Sequence, residues 1–361
     1  MLTIPFWKHL RSDLLCTALF LIVCPAWSAD PLAGTSATKS ELNVLFIGNS
    51  MTWFCNMPRT VAELAERMDP PVQVHVVLAV GACNTLAKPH VQEGSTARKA
   101  IAGDVGACLQ AKTAEVTWLR KTIAAGPTNA MPEADLVRLQ GDIKALEGKP
   151  KWDVVVIQPW GSEDVKDQAA FAANVRILQD DIAKSSPGAR VVIYMDPTHR
   201  MESARQEKNV REVVLPAYRQ LAVNNKVEVA PAALTGQLIC RERPDYWLKI
   251  KKLPNDAHHG LYGAYAVACT IFATIFDRSP EGLAVKRMEA HYQVGGKRKD
   301  ANGKKIPVEG KLHMEYFDDG PVEMLSDDDM NLIQSKAWKA CQEWHEYCRP
   351  AVLARASRTV H

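Results

Sequence analysis

The sequence predicts an α/β fold: a doubly wound, mainly parallel five-stranded sheet flanked by helices, with a helical insertion and a C-terminal helical extension. Three observations predict it. Runs rich in Val, Ile and Leu at 43–47, 72–80, 153–157, 190–195 and 226–230 alternate with segments of helical periodicity, and parallel strands need such crossovers to return the chain to the same edge. The first run stops at Gly48-Asn49-Ser50, and a helical pattern opens near Pro58 with Val61, Leu64, Ala65 and Met68 on one face. Roughly seventy residues separate the second run from the third, far more than a strand-to-helix connection needs.

Taken in order, the chain begins with a basic start at Lys8 and Arg11, an apolar stretch from Leu14 to Val23, and the small residues of Ala26-Trp27-Ser28. This order is that of a secretory signal, cut near Ser28 or Ala29 and spanning 1–29, with export to the periplasm or the outside as its consequence. Lipidation at Cys24 would need a small residue before it, and Val23 is not one. The mature domain then covers about 40–361. Its first strand, first turn and first helix are those named above, and the second strand ends before Gly81.

The long segment that follows reads as helices over roughly 97–124 and 134–146, an insertion of about 92–150. It is either a cap over the carboxyl edge of the sheet or a flank packed against the sheet's side. The third strand ends at Gln158-Pro159-Trp160-Gly161-Ser162, the fourth at Asp196-Pro197-Thr198-His199. Asp256-Ala257-His258-His259 opens an apolar helix, Leu261 to Phe276, too short to span a bilayer comfortably. Residues 285–325 read as a small hairpin or extended region. In the last helix Ser326 can cap and Asp329 stands three positions on, with Met330, Ile333, Ala337, Cys341 and Trp344 along one face.

A formal net charge of +3 spread over 361 residues, 47 % of them hydrophobic, implies a large core and no special partner. The one basic cluster, between 295 and 305, is rich in glycine and reads as a solvated loop, so nucleic acid is not expected. Of nine cysteines, two lie in the signal segment, leaving an odd seven. Cys55 and Cys83 are either a disulfide tying two loops or buried thiols. No Cys-x-x-Cys occurs, and neither a metal nor a cofactor is expected.

The chemistry lies in two motifs. A serine on a strand–turn–helix sits at the carboxyl edge of a parallel sheet, and it needs an imidazole to take its proton as it attacks. His259 offers that imidazole and Asp256, three residues earlier, a carboxylate to orient it. Each motif alone has an ordinary reading, since Gly-Asn-Ser is good turn chemistry and an aspartate can simply cap a helix. Their joint occurrence at the ends of the right elements favours catalysis. Asp196 and His199 repeat the Asp-x-x-His spacing after an internal strand, where they read either as pocket lining or as loop structure.

On these residues the chain resembles the SGNH (GDSL-like) hydrolases. The resemblance implies a flavodoxin-like, three-layer fold, Ser50 as nucleophile, Asp256 as acid, His259 as base, and Gly81 as an oxyanion-hole amide beside that of Ser50. It fails at the family's third block, where an asparagine is expected. Gln158 is the candidate replacement because its amide can donate to an oxyanion, with Ser162 a weaker one. Asn49, Trp53, Trp160, Ser162, Asp196 and His199 are candidate pocket lining. The implied activity is hydrolysis of a small-molecule or glycan ester, with an acetylated carbohydrate as first substrate. The alternatives are a non-catalytic carbohydrate-binding or cell-surface protein with a degraded site, and an acyltransferase.

Overall fold

Four consecutive apolar residues, Val44 to Ile47, are wholly shut off from solvent in the computed structural model of the protein. They can be so only in a strand covered on both faces, and a continuous apolar run is what such a strand requires. The structure describes residues 40–80, 90–106, 108–109, 112–113, 116–117, 120, 131–148, 151–159, 167–196, 210–250, 259–283, 285, 292–299, 305–314 and 325–358. Gly81, Cys83, Trp160, Ser162, His199, Asp256 and His258 lie outside them, as does the amino-terminal segment.

Strand β1 (Glu41–Gly48) leads through α1 (Ser50–Trp53), a 3-10 turn (Phe54–Asn56) and α2 (Met57–Glu66) to β2 (Gln73–Val80). Helices α3 (Thr96–Ile101) and α4 (Met131–Glu147) precede β3 (Val154–Ile157). Helix α5 (Gln168–Ser185) leads to β4 (Arg190–Tyr194), and α6 (Leu215–Asn225) to β5 (Glu228–Ala230). After these come α7 (Ala232–Glu242), α8 (Tyr246–Ile250), α9 (Leu261–Phe276), the antiparallel pair β6 (Tyr292–Lys299) and β7 (Lys305–Met314), and α10 (Asp327–Arg358). The first five strands form one parallel sheet in the order β2-β1-β3-β4-β5. The expected doubly wound α/β fold is therefore the observed one.

Side chains of successive strand residues fall into two cores, one on each face. Val44, Phe46, Val154, Val156, Val192 and Tyr194 join α2 and α9. Leu45, Ile47, Val155, Ile157, Ile193 and Met195 join α3, α5 and α6 on the other side. The period of two along each strand thus makes three layers. Helix α9 is buried over every residue from Leu261 to Ile275, so it has no polar face at all.

Two details differ from expectation. The helix expected over 97–124 is broken after α3: Gly103 takes φ +83°, its N–H donates to Ala100, and the N–H of Asp104 donates to Lys99. That is a Schellman stop, which a run of helix-forming residues hides until one asks which glycine can turn left-handed. In α10 the N–H of Asp329 donates to Ser326 Oγ (3.1 Å), as a cap should, but the carboxylate does not complete a capping box. It accepts instead from the hydroxyls of Tyr246 and Tyr262 and docks α10 on α8 and α9.

Among the described cysteines, Cys108, Cys240, Cys269, Cys341 and Cys348 are free thiols. Burial pushes Cys240 and Cys341 up to about 12, so neither is a nucleophile at neutral pH. The Cys55–Cys83 alternative lies outside the described residues. Among them, no helix is long and apolar enough to cross a membrane.

Candidate functional site

The strand order reverses at β1: the chain steps from β1 to β2 on one side, then returns to β3 on the other. In open parallel sheets such a switch opens a crevice beyond the carboxyl ends of the two strands. Ser50 stands there as the first residue of α1, two residues past the end of the β1 ladder at Gly48. It is 9 % exposed. The serine is therefore a largely buried residue of the turn.

The turn is built from its neighbours. Asn49, wholly buried, accepts the N–H of Met51 on Oδ1 (2.9 Å), and its carbonyl accepts the N–H of Thr52 (2.9 Å), which together cap α1. Gly48 is compelled by space: a Cβ there would overlap the Thr52 hydroxyl and lie 2.8 Å from Gln158 Oε1. Gln158 continues the β1–β3 ladder by donating its N–H to Ile47 (2.8 Å). Its side chain, 1 % exposed, accepts on Oε1 from the Asn49 N–H (3.1 Å) and from Thr52 Oγ1 (2.9 Å), while Nε2 donates to the Pro159 carbonyl (2.7 Å). The two ends of the amide are told apart by what they meet, since a backbone N–H needs an acceptor and a carbonyl a donor. The expected oxyanion donor thus presents its acceptor end to the nucleophile turn.

Asp196, 4 % exposed, follows β4 by two positions. Burial raises the Tyr194 phenol well above its ordinary range, the Asp196 carboxylate adds to that, and the Thr52 hydroxyl beside it opposes. β1, β3 and β4 therefore converge on one polar knot beneath the crevice. Tyr194 and Thr52 were not singled out by the sequence, because an aromatic in a strand and a threonine in a first helical turn are both unremarked residues of the core.

His259 is wholly buried and immediately precedes Gly260, the N-cap of α9. The direction of α9 decides where the imidazole lies. At its far end the carbonyls of Thr274 and Ile275 accept from Arg190, the first residue of β4, so that end sits at the amino edge of the sheet. A helix of this length runs about 24 Å, which brings its beginning, and His259, to the carboxyl edge shared with Ser50. The segment is pinned where it enters: the Gly260 N–H donates to Ile250 (2.7 Å). A Cβ at Gly263 would overlap the Ile250 carbonyl and come within 2.6 Å of His259 Cβ.

A second histidine was missed by sequence reading. His90, 3 % exposed, has its ring against the backbone of Gly48. Burial lowers its pKa while the Gly48 backbone contact partly opposes, so the ring is neutral at physiological pH. Nothing in Lys88-Pro89-His90 flags it. Trp53 closes α1, one turn past the serine. Among the described residues no group of three or more His, Cys, Asp or Glu side chains is placed to share a metal ion.

No family model matches the chain, and no curated protein does. Solved structures that resemble it include a DUF4886 family protein from Bacteroides uniformis ATCC 8492, 12 % identical with a TM-score of 0.46 over 83 % of this chain and 94 % of that one. Another is described as a "putative SGNH hydrolase" from Slackia heliotrinireducens, 20 % identical with a TM-score of 0.36 over 65 % of this chain and 99 % of that one. The chain is thus distantly similar in structure to a protein so described. Likeness at this level follows the course of the backbone and leaves the chemistry to the residues of this chain.

Proposed function

We propose that the chain is an exported serine ester hydrolase of the SGNH type. Ser50 attacks the ester carbonyl, His259 takes the serine proton and returns it to the leaving alcohol, and Asp256 holds the imidazole. Water then releases the acyl group from Ser50 by the same route in reverse. The amide of Ser50, at the first position of α1 where a helix supplies no internal acceptor, and that of Gly81 stabilise the tetrahedral oxyanion. What supports the reading is that Ser50 follows β1 at the topological switch of the sheet, while the course of α9 sets its first turn, with His259 just before it, toward the same carboxyl edge. The ester cleaved is that of an acetylated carbohydrate, whose sugar hydroxyl is the leaving alcohol while water accepts the acetyl group, and the basic, apolar and small-residue order of the amino terminus supports export.

The test is a panel of acetyl and longer-chain esters and acetylated glycans, run on the parent and on Ser50→Ala. Loss of nearly all turnover in the variant, with unfolding unchanged, is the expected result, as is labelling of the parent at Ser50 alone by a serine-directed phosphonate. Equal turnover by parent and variant would remove the nucleophile. His259→Ala should be as damaging as the serine change, because residues that act as a unit are not additive. The second reading, a non-catalytic carbohydrate-binding protein, is favoured by one observation: the Gln158 amide turns its acceptor end to the turn. Glycan binding without turnover by the parent is its signature.

A further inference from the structure

We infer that Gln158 is the positioning residue of the nucleophile turn, a clamp that fixes Ser50 from both sides without touching the substrate. Its two accepted bonds fall on Asn49, just before the serine, and on Thr52, two residues after it. Ser50 is therefore bracketed. The clamp is itself held at three points: the Gln158 N–H on Ile47, Nε2 on the Pro159 carbonyl, and the glycine at 48 that lets Gln158 Oε1 and Cβ approach the turn backbone. At 1 % exposure no water competes for these bonds. Turning the amide over to free its nitrogen for an oxyanion would set NH2 against the Asn49 N–H and a carbonyl oxygen against that of Pro159. The bonds to Asn49 and Pro159 would both be lost, and only the Thr52 hydroxyl, which can accept as well as donate, could adapt.

The clamp and the oxyanion-donor roles predict opposite orders for two substitutions. Gln158→Glu keeps the one oxygen that accepts from both Asn49 and Thr52, while at its other end it loses the donor to Pro159 and sets an oxygen there in its place. Gln158→Ala loses all three. If Gln158 positions, the alanine variant should lose about 10²-fold in kcat, as misplacement of a reacting group does, with KM little changed, and the glutamate variant should recover much of that loss. Thr52→Val should lower kcat and Thr52→Ser should not, since only the latter keeps the hydroxyl. The kinetic readout rests on the hydrolase reading; a second one does not. In the full-length chain, amide exchange at Asn49 should quicken in Gln158→Ala and stay slow in Gln158→Glu and in Ser50→Ala. A glutamate variant as impaired as alanine, with Asn49 exchange unchanged in both, would overturn the clamp and restore the donor. A parent with no esterase activity whose Asn49 exchange still depends on Gln158 would support the clamp and remove the hydrolase.

Discussion

A hydrogen atom at Gly48 is what lets a threonine hydroxyl and a glutamine amide meet over the turn before Ser50. Gly48→Ala should therefore cost about 1–3 kcal/mol of stability, the usual penalty of forcing a methyl into a filled space. It should also cut turnover, because the neighbours that must give way are those that position the nucleophile. Denaturant unfolding with an unchanged midpoint would contradict this. The residues of the turn were legible because Gly-Asn-Ser after an apolar run can hardly be anything but a tight turn. Gln158 was legible by position and misread in chemistry. An amide has a donor end and an acceptor end, and which one faces the turn depends on a Pro159 carbonyl and an Asn49 N–H that no spacing reveals. Thr52, Tyr194 and His90 carry no local pattern, since their meeting at the carboxyl edge is a product of the sheet's order.

Among the elements, α4 reaches the edge strand β2 through charge. Lys112 Nζ and His75 Nδ1 (3.5 Å) both meet the Asp142 carboxylate of α4. Hydrogen bonding to Asp142 raises the His75 pKa despite burial, with Glu41 adding to it. A histidine so raised contributes stability that is full below its unfolded pKa and is lost as pH rises through the folded one. His90 does the reverse: burial lowers its pKa, so its contribution is full above the unfolded value and is lost as pH falls through the folded one. His75→Ala should thus cost more stability at about pH 5.5 than at about pH 8.5, and His90→Leu should flatten the acid limb instead. Unfolding midpoints across that range separate the two, and parallel curves for parent and His75→Ala would refute the pairing. Helix α9 is held differently, by packing along its whole length with a few side-chain hydrogen bonds such as Tyr262 to Asp329 and Thr235 to Thr270. Phe272, fully buried, should cost about 3–5 kcal/mol when cut to alanine. The strands and α9 were legible because burial on all sides leaves only apolar runs. The break at Gly103 was not, because Ala-Gly-Asp inside a helical pattern reads equally as an interruption tolerated and as a stop.

For the molecule as a whole, α10 decides cohesion. Met330, Ile333 and Ala337 belong to the core beneath α2 and α9, whereas Ala340, Trp344 and Cys348 belong to the core beneath α5 and α6. Its near-continuous contact with α7 and α9, and its reach to α6, join the two faces on the side of β5. Arg190 makes a second tie, pairing with Glu228 while it holds the carbonyls that end α9. A chain cut after Leu325 should uncover both cores at once and fail to give a cooperative unfolding transition, as calorimetry of the purified fragment would show. A sharp transition near the parent's would make α10 an accessory. The apolar face of this helix could be read from its spacing, but its division between two cores could not, since that depends on how it crosses the sheet's end. The crossing has a temporal side. Synthesis reaches α10 after every strand of the sheet, so neither hydrophobic layer is closed while the chain is still being made. Until those last turns emerge, each layer keeps an apolar edge open to water, the surface through which an unfinished chain would associate with its neighbours.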